Sequence, residues 1–274
     1  MLRSIATVSL GGTLERKLQA AHQAGFDAVE IVDEGELATC AMDRAIIRRW
    51  TVGQDALRVS VFQPFRDFEG VADHTLRCNL VRAEATFALM SELGAKTLLV
   101  CSNTSPTVLD DDGRAADQLH QLADRARQHG IRIAYEALAW GTCVRSYLHS
   151  WRIVQRANHS HLGVCLDSFH ILARGDDPAG IKDIPGEQIF LLQVADAPPS
   201  IDLDVRQWSR HHRCFPGQGS WDLVAFLGHV AATGYTGPLS LEVFNDAFRS
   251  ADPGRTAIAG MRSLVALEAA VLAR

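Results

Sequence analysis

Eight short runs of β-branched and aliphatic residues recur along the chain, most of them followed by a longer stretch with apolar residues at helical spacing. This alternation leaves few folds open. The runs are SIATVSL (4–10), DAVEIV (27–32), RVSVFQPF (58–65), KTLLVCS (96–102), RIAYEAL (132–138), LGVCLDS (162–168), IFLLQVAD (189–196) and PLSLEVF (238–244). Largely apolar runs suit parallel strands covered on both faces. Stretches such as TLERKLQAAHQAG, LVRAEATFALMSELG, RAADQLHQLADRARQHG and WDLVAFLGHVAATG supply the crossover helices, several closing in Gly. Eight such units predict an α/β protein, a (β/α)8 TIM barrel. An open doubly wound sheet would show fewer strands and a G-x-G-x-x-G after the first, which SLGGTLERK lacks. The sixth helix slot, around DPAGIKDIPGEQ, is poorly formed. A barrel takes ~250 residues, so residues 1–274 are expected to form a single catalytic domain.

Composition narrows the function. With 47% apolar and 22% charged residues the chain can bury a large core. A formal charge of -5 argues against a broad nucleic-acid surface, so any basic site is local. The six cysteines are scattered with no C-x-x-C pair, which fits reduced thiols. The start, MLRSIATVSLGG, lacks a signal-peptide apolar region, and no segment reaches 18 uninterrupted apolar residues. The expectation is a soluble cytoplasmic protein with neither nucleic acid nor membrane as partner. Assembly into a homo-oligomer is left open.

In an α/β barrel the chemistry gathers at the C-terminal strand ends. The last four strands each carry a polar residue there: Glu136, Asp167, Gln193 and Glu242. Three converging carboxylates would repel one another and shift one another's pKa values unless a cation lay between them. All four groups are oxygen donors, which suit one hard divalent ion, Mg²⁺, Mn²⁺ or Co²⁺, with positions left open for water or substrate. His170, three residues after Asp167, would stand beside that ion, able to exchange a proton with a substrate.

Three further stretches bear on the mouth. FQPFRDFEG places Arg66 where it could reach inward or pair with Asp67 or Glu69. Ser209, Arg210, His211, His212 and Arg213 form a local basic cluster suited to a small anion, inside an irregular segment, 197–220, too long for an idle connection. PGQGSWD could cradle a phosphate or serve only as a turn into the next helix.

With these residues in view, the chain resembles the xylose-isomerase-like barrels, and among them the bacterial 3-dehydroshikimate dehydratases of quinate and shikimate breakdown. FQPFRDFEG, YEALAWG, LDSFH, WSRHHRCFPGQG and LSLEVFND carry the likeness. The resemblance implies a hydro-lyase that converts 3-dehydroshikimate to protocatechuate. It implies Glu136, Asp167, Gln193 and Glu242 as metal ligands, Arg66, His170, Ser209 and Arg213 as substrate contacts, and Arg66 or Arg213 on the ring carboxylate. Other dehydratases of the superfamily carry a His where this chain has Leu138, so His170 becomes the base expected to take the C4 proton, with Glu136 and Glu242 as further catalytic groups. The alternative is a sugar or hydroxypyruvate isomerase or epimerase on the same barrel. A repair endonuclease would need a His-rich multi-zinc mouth, and a binding protein would keep the pocket without turnover. Some relatives carry a dioxygenase-like second domain, which is not expected here.

Overall fold

The computed structural model describes residues 1–33, 37, 40–53, 56–199 and 203–273. Eight parallel strands, β1 (Leu2–Ala6), β2 (Ala28–Val32), β3 (Arg58–Phe65), β4 (Thr97–Cys101), β5 (Arg132–Glu136), β6 (Leu162–Asp167), β7 (Ile189–Val194) and β8 (Pro238–Leu241), pair in sequence order. The ring closes where β1 meets β8, with Ser4 opposite Ser240. All eight expected strands are present, and the (β/α)8 barrel with them.

Differences lie at strand ends. The first strand stops at Ala6, and Thr7–Ser9 turns as a 3-10 helix instead of extending to residue 10. Side-chain hydroxyls explain this: Thr7 Oγ1 accepts from the Val32 amide, and Ser9 Oγ donates to the Leu241 carbonyl while accepting from the Val243 amide. Local hydroxyl bonding of this kind competes with a strand ladder. The sixth helix slot holds two short 3-10 helices, Pro178–Asp183 and Gly186–Gln188, as its broken periodicity foretold. Segment 197–220 is less irregular than expected. It contains the helix Val205–His211, started by the Asp204 side chain accepting from the Arg206 and Gln207 amides. Seven residues are too few for a 3.6-residue period to stand out. Residues 200–202 of that segment lie outside the described ones.

Strand alternation divides the core. Leu98, Val100, Ile133 and Tyr135 belong to the large cluster between barrel and helices, while Leu99, Cys101, Ala134 and Cys165 fill the barrel. Each fully buried Leu, Val or Phe contributes roughly 1.5–3 kcal/mol, so the floor of the mouth rests on a rigid plug. Among the described residues no helix is long and apolar enough to cross a membrane.

Candidate active site

Glu136 ends β5, Asp167 ends β6, Gln193 is the penultimate residue of β7, and Glu242 follows the last residue of β8. All four are buried. Asp167 has two tasks, which is why a strand ends in LDSFH. Its Oδ1 accepts from the Phe169 amide and so starts the helix Ser168–Ala173, while its Oδ2 faces the mouth. That helix start brings His170 back over the strand ends, with Nε2 at 3.6 Å from Asp167 and 3.7 Å from Glu136. One candidate ligand atom from each of Glu136, Asp167 and His170 falls within 4.8 Å of the others.

Arg213 organises the other side. Its NH1 donates to Asp167 Oδ2 at 2.8 Å and Glu242 Oε2 at 3.0 Å, and its NH2 donates to Ser209 Oγ at 2.8 Å. At 1% exposure it is the largest fully buried side chain among the described residues. Ser209, itself fully buried, holds this guanidinium. The expected substrate-contact pair is thus an internal unit, with Arg213 reaching the cleft only along its wall.

Strand β2 adds a carboxylate that the reading of the last four strands passed over. Glu30 is fully buried, and its Oε2 accepts from Gln63 Nε2 at 2.6 Å and Gln193 Nε2 at 2.8 Å. Gln63 Nε2 also lies 2.9 Å from Glu242 Oε1. The signal was visible in DAVEIV, a carboxylate in an apolar run just as in IAYEAL. Because the Gln193 amide nitrogen points at Glu30, its Oε1 turns the other way, where it accepts from the Cys165 thiol at 3.4 Å. Glu30 thereby sets which end of Gln193 a cation would meet.

The electrostatics follow from burial. Glu30 is pushed up to about 8 by desolvation and then by Glu242. Glu136 is raised well above the usual carboxylate range by burial and then by Asp167 and Glu242. Asp167 is raised to about 6 by burial, with Arg213 opposing the shift. One guanidinium cannot neutralise so many carboxylates, so the cluster needs bound protons or a cation. Glu136 Oε1 is buried with no hydrogen-bond partner among the described residues. The donor chemistry therefore fits a divalent ion.

His170 is pushed well below its ordinary value by burial and by Arg213, Arg210 and Arg66, so it is neutral. The Ala139 amide donates to its Nδ1 at 3.2 Å. Its Nε2 faces the carboxylates and lies 3.3 Å from Arg213 NH2, a group that can only donate. The ring thus stands at the mouth with a donor at each of its nitrogens, beside Asp167 and Glu136.

Arg66 lines the cleft with no ion pair to Asp67 or Glu69. Asp67 Oδ1 accepts from the Thr104 amide, and Glu69 Oε1 accepts from the Asn103 amide and the Tyr135 hydroxyl. The loop is pinned further by Arg82, which donates to the Arg66 carbonyl, and by Asn79, which donates to the Asp67 carbonyl. Both acids beside Arg66 are therefore engaged elsewhere, and its guanidinium is left to the mouth.

The PGQGSWD loop is not a phosphate cradle. Asp196 already fills it: Oδ2 accepts from the Gly217 and Gly219 amides, and Oδ1 from the Ala197 and Trp221 amides. A Cβ at position 219 would lie 2.2 Å from Asp196 Oδ1, so the glycine lets the chain close on its own carboxylate. Asp196, two residues beyond the end of β7 and unremarked in the sequence, is the residue that decided between the two readings of that loop.

The cleft is lined by Arg66, Glu136, Trp140, His170, Arg210, Arg213, Glu242 and Phe244 among others. A larger depression lies at the opposite end, around Leu2, Asp27 and Arg58. That is the N-terminal face of the strands, where barrels of this kind carry stability rather than chemistry.

Comparison with known proteins agrees with this architecture. A 3-dehydroshikimate dehydratase of Pseudomonas aeruginosa is 52% identical over 268 residues, which is 98% of this chain and 42% of that protein. A solved xylose isomerase-like TIM barrel/4-hydroxyphenylpyruvate dioxygenase fusion protein superposes with a TM-score of 0.93 at 50% identity, covering 99% of this chain and 43% of that one. The chain thus spans about two fifths of the length of these relatives. The IOLI protein, solved with a bound zinc atom, superposes with a TM-score of 0.86 at 19% identity, covering 97% of this chain and 98% of that one. Residues 18–267 match the xylose isomerase-like TIM barrel family, and the chain belongs to that family.

Proposed function

We propose that the chain is a metal-dependent 3-dehydroshikimate dehydratase, a hydro-lyase forming protocatechuate and water. The observation that carries this reading is a buried carboxylate cluster meeting a neutral imidazole under a cationic rim, in a chain 52% identical to a protein named for that reaction. Glu136, Asp167, Gln193 and Glu242 would hold one divalent ion, with Mg²⁺, Mn²⁺ and Co²⁺ as the candidates for its oxygen donors. Bound there, the ion would supply Lewis-acid stabilisation of the charge that develops on the substrate's ketone oxygen.

The chain's own groups divide the proton work. Both oxygens of Glu242 are engaged, by Gln63 and Arg213, whereas Glu136 Oε1 has no partner, so Glu136 takes the C4 proton. Glu136 passes that proton to His170 Nε2, 3.7 Å away, and the imidazolium so formed protonates the C5 hydroxyl as the C5–O bond breaks and water leaves, restoring both groups. Loss of a C6 proton with protonation of the C3 oxygen gives the aromatic product. Arg213 keeps Asp167 and Glu242 from repelling each other while Ser209 holds Arg213 in place.

The test is an absorbance assay in which metal-freed protein receives 3-dehydroshikimate and then each divalent ion in turn. Metal-dependent appearance of protocatechuate supports the reading, and its absence with every ion sinks it.

A further inference from the structure

Two arginines in the cleft have no counter-ion. Among the described residues neither the Arg66 nor the Arg210 guanidinium makes an ion pair or a hydrogen bond, although both line the cleft beside His170 and Glu242. Arg213, the third, is fully engaged by Asp167, Glu242 and Ser209. Arg210 is steered instead by rings. Its guanidinium lies 4.7 Å from the centre of Phe244 and 5.8 Å from that of Trp140. Its backbone carbonyl accepts from Arg249 NH2 at 3.0 Å, which fixes the end of the helix that carries it. Arg66 sits on the pinned loop described above.

The two cations also feel each other: burial and then the charge of Arg66 lower the Arg210 pKa, with Glu242 opposing. Like charges held together by neighbouring structure, neither in an ion pair among the described residues, gain from an anion placed between them. The guanidinium fork suits a carboxylate, and the aromatic walls suit a flat ring behind it.

We propose that Arg210, with Arg66, forms the carboxylate subsite of the cleft, and that Arg210 rather than Arg213 sets the preference for a ring acid over an uncharged polyol. This deepens the dehydratase reading and rests on it for the substrate. The site can be probed without turnover by using protocatechuate and catechol, which share the ring diol and differ by the carboxylate.

Calorimetric titration of the chain, with saturating Mn²⁺ in every arm, would measure binding of both probes to the wild type, Arg210→Met and Arg210→Lys. The expectation is that the wild type prefers protocatechuate by about tenfold or more, the loss expected for one charge-assisted hydrogen-bonding partner. Arg210→Met should lose that preference while keeping catechol binding within about twofold, a check that the cleft remains folded, and Arg210→Lys should regain part of it. Equal binding of the two probes by the wild type, or no binding of protocatechuate, overturns the proposal. So does an Arg210→Met variant that retains the preference. If the preference depends on Arg210 while 3-dehydroshikimate is not turned over, the subsite stands and the dehydratase reading falls.

Discussion

The floor and the rim of the barrel mouth handle charge in opposite ways. At the floor, Arg213 is sealed among Asp167, Glu242 and Ser209, and every heavy atom of its guanidinium group that can donate finds an acceptor. At the rim, Arg66 and Arg210 face the same cleft, and among the described residues neither makes an ion pair. Residue type does not explain the difference, since both regions use arginine. Depth does: a charge sealed from water must be matched by the protein itself, whereas one open to solvent can wait for a ligand. The floor is thus arranged to survive burial, and the rim to be completed by substrate.

The contrast breaks most severely at Glu136. Glu136→Gln removes both a floor carboxylate and the unpartnered oxygen, so kcat should fall by on the order of 10⁴-fold and Mn²⁺ affinity with it; steady-state kinetics with a metal titration measures both. Next comes His170→Asn, expected to cost roughly 10²–10⁴-fold in kcat with Mn²⁺ affinity unchanged, because the four oxygen donors would hold the ion without it. Loss of metal in that variant would show the ring to be a ligand.

Arg213→Met leaves two buried carboxylates without their cation and should lower unfolding stability by about 3–5 kcal/mol in urea titrations. A change in substrate discrimination without loss of stability would place Arg213 with the rim instead. Glu69 gives a pH signature. Burial raises it from the usual 4.5 to about 7, with the Asn103 and Tyr135 hydrogen bonds opposing. The folded chain therefore keeps this proton where the unfolded chain has lost it. Its contribution is neutral below about pH 4.5, and the stability cost grows as pH rises towards 7, reaching at most about 3 kcal/mol above it. Glu69→Gln should gain on the wild type between pH 5 and pH 8, as read from urea midpoints. The smallest effect belongs to Arg82→Met, which removes the hydrogen bond to the Arg66 carbonyl and the guanidinium lying 4.0 Å from the Phe65 ring centre. About 1 kcal/mol of stability and a modest rise in KM with kcat kept are expected.

Much of this was legible in order of residues. The eight apolar runs announced eight strands because the strand period is short and local, and every one formed within a few residues of its expected place. The polar residues at the last four strand ends were legible for the same reason, since a carboxylate in an apolar run stands out wherever it points. Glu30 carried the same mark and was passed over because it lies in the second strand, far along the chain from the other three acids. Closure of the barrel brings it to Gln193, 163 residues away.

Partnership was what the chain order left undecided. Arg210 and Arg213 stand three residues apart in one basic cluster, yet one donates to Asp167 and Glu242 while the other lies against aromatic rings at the open cleft. The same holds for Asp196, which took the glycine loop for itself, and for His170, which meets the Ala139 amide at Nδ1 and Arg213 at Nε2. Strand periodicity is a property of neighbours along the chain and can be read there. Which donor meets which acceptor depends on where a closed barrel places groups far apart along the chain, as it does Gln63 and Glu242, 179 residues apart, and only the folded structure decides that.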